Sequence, residues 1–460
     1  MKRGTKCASF FLNQLQEFKM GLIGRSLLLM ITIIVLFEGC SLFSEEENKT
    51  AFSSDAISSL DSIIKRNGIL GGTIIAFNDT VLKQYSFGIA KLEQNIQWSD
   101  TTYFRIASIS KFITTIAILQ LIEQGSFSFD TDISSLLPVR FRNPAFPDIP
   151  ITIRMLMNHT STIKDSDKAF DFAKRSIFID TVIKDTIIPS IQSLFSKQFN
   201  QHEVFLAKSL TLNNGDIVQP VPGSFFNYTN LNYVILAWIL ERVSGDSFAE
   251  YMQKHIFLPL NIHAGYTLQD IPENGVIATQ YRYVKNKWIA EGDALTKPYA
   301  QVYKPLTSYK AGHNPFRFSP QAGLRIRAND LAMLIRNLLS TDTLLSLSMK
   351  EAMFSETWSI GTHNSRNQFN GLFQSWGLGA QILTNTPGKD AINGTEKQYI
   401  GHIGRANGAY ATMFFNKQSH DGFIILLNGI QSIPSSDHGF LKCEKELMSF
   451  ILNFMQYDHE

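Results

Sequence analysis

The sequence predicts an α/β fold of the α+β kind. It should form an antiparallel sheet flanked by helices, completed by N- and C-terminal segments, with an all-helical lobe inserted between them. Two observations carry this expectation. Runs rich in β-formers stand near both ends of the chain, and stretches with helical apolar spacing fill the middle. A cleft where lobe meets sheet is then the default place for a site.

Element by element, residues 56–65 carry Ile57, Leu60 and Ile64 at helical spacing and run into Asn67 and Gly68, a helix stop. Residues 72–77 and 81–87 flank Asn78, Asp79 and Thr80, which is hairpin chemistry. Residues 109–122 are apolar almost all round, with Ile109, Phe112, Ile113, Ile116 and Leu119 at helical spacing and Gly125 beyond, so this helix should be buried. The lobe spans about 126–260. It holds a short helical piece at 153–158, a polar and aromatic stretch at about 163–219 that reads as an insertion, and a helix at 231–243. A further helix opens with Ser247 and Glu250 in capping-box spacing. Residues 330–339 are an amphipathic helix, strands follow at 377–383, 398–402, 409–415 and 423–427, and a helix at 440–455 closes the chain. No repeat of 20 to 50 residues stands out.

Composition removes several functions. Of 460 residues 18% are charged and 12% aromatic, which excludes disorder or a long coiled coil for the bulk. Lys plus Arg exceeds Asp plus Glu by 42 − 40 = 2, and no basic stripe offers a footprint for nucleic acid. The three cysteines, Cys7, Cys40 and Cys443, are too few for a disulfide framework.

Residues 27–37 are apolar except for Thr32, follow Arg25 and precede Gly39 and Cys40, the pattern of an export signal too short to span a membrane. The arrangement resembles a bacterial lipoprotein signal. On that reading residues 1–39 are the leader, with Met20 as an alternative start, and Cys40 is lipidated. Residues 40–54 are then a flexible tether and 55–457 the folded domain. Phe37 and Glu38 depart from the pattern, so ordinary cleavage or an uncleaved anchor stays open. Ser41 after the cysteine points to the outer membrane of a bacterial envelope, with the membrane as partner through the lipid.

The chain lacks a Gly-x-x-x-x-Gly-Lys phosphate loop, a His-Glu-x-x-His helix and a Gly-x-Ser-x-Gly elbow. What it has is Ser108-Ile109-Ser110-Lys111 at the start of the buried helix. A serine and a lysine three apart share a helix face, so Lys111 can reach the Ser108 hydroxyl. A hydroxyl is a weak nucleophile until a base takes its proton, and a desolvated lysine can be that base. The same spacing recurs at Ser62 with Lys65 and Ser161 with Lys164, but only Ser108 opens a long apolar helix, where the positive helix end favours an oxyanion. The alternative role of Ser108 is a simple helix cap.

Tyr228-Thr229-Asn230 is the only Tyr-x-Asn in the chain and lies where a loop with Pro222 and Gly223 meets the helix from Leu231. A phenol can relay a proton, and a carboxamide can hold substrate while contacting the lysine. Core packing by Tyr228 and helix capping by Asn230 are the alternatives. His402-Ile403-Gly404, between Gly401 and Gly408, would let a substrate lie against a strand edge. Here the alternative is a packing histidine.

With these three motifs the sequence resembles the serine β-lactamase and penicillin-binding-protein superfamily, in the branch of class C β-lactamases, D-alanyl-D-alanine carboxypeptidases and related esterases. The carriers are Phe104 to Lys111 (FRIASISK), Tyr228 to Asn230 and Gly401 to Gly404. The segments ITIRMLMNHTS from Ile151, PGSFFNYTNLNY from Pro222, PQAGLRIRANDLAML from Pro320 and Trp376 to Gly379 agree. The resemblance covers about residues 55–455.

It implies Ser108 as acyl-accepting nucleophile, Lys111 as its base, Tyr228 as proton relay and Asn230 as a contact to substrate and lysine. The strand of His402 and Gly404 would line the substrate, and the N–H groups of Ser108 and Arg405 would form the oxyanion hole. This chemistry needs neither a metal nor an organic cofactor, and the partner is a small-molecule or peptide substrate. His402 stands where β-lactamases usually carry a lysine, and Thr162 where glycine is usual. A peptidase-like or esterase-like hydrolase is therefore expected before a dedicated β-lactamase or D-alanyl-D-alanine carboxypeptidase. A non-catalytic protein binding peptidoglycan or a partner is the reading from another class.

Overall fold

In the computed structural model the described residues are 48–177, 189–195, 203–293, 309–392, 395–431 and 439–457. The chain divides into a short unit, Met1–Asn48, and a main unit, Lys49–Glu460, that contains all the chemistry discussed below. The expected leader, Cys40 and most of the tether lie outside the described residues, as does part of the 163–219 stretch.

The chain opens with strand β1 (Asn48–Ala51) and helix α1 (Ser54–Asn67), whose Ser53 cap accepts from the Ala56 N–H at 3.3 Å. Strands β2 (Gly71–Phe77) and β3 (Val81–Lys91) form the expected hairpin. Its turn is closed by the Asn78 side chain, which accepts from the N–H groups of Thr80 and Val81 at 2.9 and 2.8 Å. After β4 (Ile96–Gln97) and β5 (Tyr103–Arg105) comes the buried helix α2 (Ile109–Glu123).

The lobe holds short helices α3 (Ile153–Met157), α4 (Asp167–Ile177) and α5 (Ile191–Leu194), then α6 (Leu231–Ser244) and α7 (Phe248–Met252). Ser247 and Glu250 cap α7 reciprocally, as their spacing predicts. The lobe also carries one small strand pair, β6 (Leu210–Thr211) with β7 (Ile217–Val218).

A hairpin of β8 (Gln280–Val284) and β9 (Lys287–Gly292) follows, then β10 (Arg325–Arg327), which pairs with β5. Helices α8 (Ala328–Ser340) and α9 (Leu347–Phe354) lead into β11 (Trp358–Ser359), β12 (Ser375–Trp376), β13 (Gln381–Ile382), β14 (Ile400–Ala406), β15 (Ala409–Phe415) and β16 (Gly422–Leu427). Helix α10 (Lys442–Tyr457) ends the described chain.

Among the described residues the main sheet has ten strands, in the order β1-β3-β2-β16-β15-β14-β13-β12-β11 with β4 paired to β3. N- and C-terminal segments meet inside it, because β2 pairs antiparallel with β16, Ile75 opposite Ile424. Both faces are covered. Ala411, Met413 and Phe415 of β15 join the core of α2, α6 and α8, while Tyr410 and Phe414 join that of α1 and α10. A strand buried on both faces reads as a near-continuous apolar run, which is how 409–415 reads but for Thr412.

The expected strand at 377–383 is interrupted. Gly377 N–H bonds the Ala380 carbonyl at 2.8 Å, and Gly379 takes φ +68°, so a turn separates β12 from β13. A side chain at Gly379 would run into Thr115 of α2, so the turn is what lets the sheet end approach the buried helix. The strand expected at 398–402 is displaced to β14, which continues through the third motif.

Candidate active site

The site is assembled where β5 hands over to α2. Strand β5 ends at Arg105, Ala107 takes φ +47°, and Ser108 begins the helix. Ser110 fixes this turn: its hydroxyl donates to the Ala107 carbonyl at 2.7 Å and accepts from the Leu324 N–H at 3.1 Å. The Ser108 side chain makes no capping hydrogen bond, so its half-buried hydroxyl is left to the cleft.

One turn on, Lys111 is completely buried. Its Nζ donates to Ser108 Oγ at 3.1 Å, to Asn230 Oδ1 at 2.9 Å and to the Gln321 carbonyl at 3.0 Å, which uses all three donors of an ammonium. Burial disfavours its charge and brings its pKa down to about 7, against the opposing pull of the Asp165 carboxylate. Near neutral pH a large fraction of Lys111 is therefore an uncharged amine, whose lone pair can take the Ser108 proton.

The second motif arrives from the other side. The Tyr228 side chain interacts with Ser108, and its ring centroid lies 4.9 Å from Lys111 Nζ. Burial pushes the phenol pKa well up, so it stays protonated and can pass a proton but not hold a charge. Asn230 makes no capping bond with its side chain either, which removes the helix-cap alternative. That task falls to Asp165, which accepts from Asn230 N and Leu231 N at 3.0 Å each, from Asn230 Nδ2 at 2.9 Å and from Thr229 Oγ1 at 2.7 Å. Gln368 grips Tyr228 itself: its Oε1 accepts from the Tyr228 N–H at 2.7 Å and its Nε2 donates to the Tyr228 carbonyl at 3.1 Å.

The third motif lies on β14. Its neighbour β13 pairs only as far as Gly401, so among the described strands this edge is open from His402 onward. A side chain at Gly404 would collide with the Ile106 carbonyl oxygen, so glycine is what allows the strand to approach the turn before Ser108. His402 is fully buried, bonds the Ile403 carbonyl through Nδ1, and has its pKa lowered to about 3, by burial first and the Lys111 charge second. It is neutral at any physiological pH. Arg405 turns its side chain away to an ion pair with the buried Glu444 of α10, leaving only its main chain on the site side.

The structure thus brings Ser108, Lys111, Tyr228, Asn230, His402 and Gly404 together. Residues that sequence reasoning passed over complete the surroundings. His159 packs its ring 4.4 Å from that of Tyr228, and Phe373, Phe369 and Trp376 lie 5.1, 5.8 and 5.9 Å from it. His159 and Trp376 had a signal, since both fall within the quoted auxiliary segments. Asp165 and Gln368 had none. Among the described residues no three His, Cys, Asp or Glu side chains converge as a metal site would require.

Comparison with known proteins identifies the family and the fold. The family model described as Beta-lactamase matches residues 60–440. A putative penicillin-binding protein of Bacillus subtilis is 29% identical over 224 residues, 48% of this chain and 47% of that protein. A mitochondrial serine beta-lactamase-like protein of Mus musculus is 29% identical over 251 residues, 44% of each. The match thus spans less than half the length of either curated relative. Among solved structures, a penicillin-binding protein homologue from Pyrococcus abyssi superposes with a TM-score of 0.61 at 21% identity, covering 87% of this chain and 77% of its own. The D-amino acid amidase of Ochrobactrum anthropi SV3 superposes at 0.60 with 16% identity, covering 88% and 100%. At such identities these two speak to the fold alone. With most of its length matched by the family model, this chain belongs to the beta-lactamase family.

Proposed function

We propose that this protein is a serine hydrolase that cleaves a peptide, amide or ester through an acyl-enzyme on Ser108. The observation that supports it is the position of the Ser108 hydroxyl, hydrogen-bonded to the fully buried Lys111 and next to the partly buried Tyr228. In the reaction Lys111 accepts the Ser108 proton as Oγ bonds to the substrate carbonyl carbon. The oxyanion is received by the N–H groups of Ser108 and Arg405, at the positive end of α2 and on the open edge of β14. Tyr228 relays the proton to the leaving nitrogen or oxygen as its bond to carbon breaks. Water then adds to the acyl carbon by the reverse proton path, releasing the acid and restoring Ser108.

The substrate reading follows from charge and shape. A neutral, buried His402 supplies no cation for a substrate carboxylate, which favours esters and amides over penicillins. Phe369 is 40% exposed beside Tyr228, which suits an apolar or aromatic group near the scissile bond. The D-amino acid amidase that shares the fold belongs, by its name, to the same reaction class. We further propose that the protein is exported and held at the cell envelope by lipid on Cys40. A panel of aryl esters, amino-acid anilides and penicillins tests the substrate reading. Turnover of the first two with little or none of the third is expected; preferential penicillin hydrolysis contradicts it.

A further inference from the structure

Asp165 lies outside all three motifs, at the start of the stretch that sequence reading assigned to an insertion. Yet its carboxylate takes hydrogen bonds from three consecutive residues, Thr229, Asn230 and Leu231, the last two residues of the second motif and the first of α6. The bond to Asn230 Nδ2 has a particular consequence. A carboxamide has a donor end and an acceptor end, so an Nδ2 held by a carboxylate points Oδ1 the other way, where it meets Lys111 Nζ at 2.9 Å. Carboxylate, amide and amine form one chain of two hydrogen bonds. With the amide reversed, an NH2 group would face the ammonium and the contact would be lost.

On the reading of Ser108 as nucleophile, we propose that Asp165 is a positioning residue: it fixes the Tyr228-Thr229-Asn230 segment and turns the Asn230 amide so that its oxygen holds Lys111 against Ser108. Its charge reaches the base as well. The groups that face Lys111 are Ser108, the rings of Tyr228 and Tyr233 at 4.9 and 5.8 Å, the imidazoles of His159 and His402, and Asp165. The phenols stay protonated and the imidazoles stay neutral, so the negative charge acting on Lys111 is that of Asp165.

The test is the second-order rate of Ser108 labelling by a fluorophosphonate, measured from pH 5 to 9 on the folded chain. Asp165→Asn removes the charge, and its own amide cannot serve all four donors. The plateau rate should fall by roughly 10- to 100-fold, the scale for a misplaced catalytic group. The acidic midpoint should move down by roughly 1 pH unit, because an anion two hydrogen bonds away no longer favours the charged lysine. Asp165→Glu keeps the charge and should keep the midpoint while losing height. Thr229→Val removes one bond to Asp165 and should leave the midpoint in place, which gives a readout if Asp165→Asn does not fold.

A lower plateau with an unmoved midpoint in Asp165→Asn would overturn the proposal, since any loosened cap gives that result, and so would an unchanged rate. A midpoint shift in Thr229→Val as large as that expected for Asp165→Asn would also overturn it. Wild-type protein that takes no label fails at the earlier step, the reading of Ser108, and is thereby distinguished.

Discussion

An ordinary lysine, with a pKa of 10.5, would be uncharged to about 0.03% at pH 7; at the value of about 7 that burial imposes on Lys111, half of it is. The cleft thereby raises the population of competent base by more than 10³-fold. The sign of the pH dependence follows. Lowering the pH from 7 to 5 protonates the amine and reduces its neutral fraction from about one half to about 1%, so the acylation rate should fall about 50-fold. Above pH 8 it should level off. Tyr228 adds no limb in this range, because its phenol is pushed above its ordinary value and stays protonated. His402, at about 3, and His159, lowered well below its ordinary value, are neutral throughout and add none. Stopped-flow measurement of p-nitrophenyl acetate acylation between pH 5 and 9 reads this directly. Lys111→Arg, which cannot deprotonate, should lose at least 10³-fold and show no midpoint near 7. A rate independent of pH between 5 and 7, or an active Lys111→Arg enzyme, would refute the assignment of the base.

Two further outcomes are expected. Asp293 is buried between Arg105 and Arg325, at 2.9 and 2.6 Å, and both guanidiniums hold its carboxyl well below the usual range despite the cost of burial. Its stabilising contribution is present above the unfolded carboxylate value of about 3.9 and fades as the pH falls further through the folded value. Asp293→Asn, which removes the negative charge held between the buried Arg325 and the half-buried Arg105, should cost about 3–5 kcal/mol in urea unfolding at pH 7; a loss below about 1 kcal/mol would contradict the account. Phe369→Ala should lower kcat/KM for an arylacetyl ester about 10-fold while leaving the acetyl ester nearly unchanged, and equal losses on both would remove Phe369 as a substrate contact.

What could be read from the sequence had local causes. Ser108 and Lys111 are one helical turn apart, so their spacing already states their contact. The residues of 409–415 are apolar except for Thr412 because both faces of that strand are covered. Asp165 and Gln368 had no such signal, because they meet the second motif only through the fold. They lie 64 to 66 and 140 positions from the residues they hold, and a single acid or amide at such a distance carries no pattern. The break in 377–383 was hidden for a related reason, since Gly379 turns to clear Thr115 of a helix far away in the chain. His402 was legible as a motif residue, but its neutrality was not. Only the enclosure of its ring and the nearness of Lys111 establish that.

The central claim is that Ser108 is an activated nucleophile, and the most direct measurement is the intact mass of the protein after treatment with a fluorophosphonate, beside Ser108→Ala treated identically. The account predicts one adduct per chain in the wild type and none in the variant. No adduct on the wild type, or the same adduct on both, would contradict it.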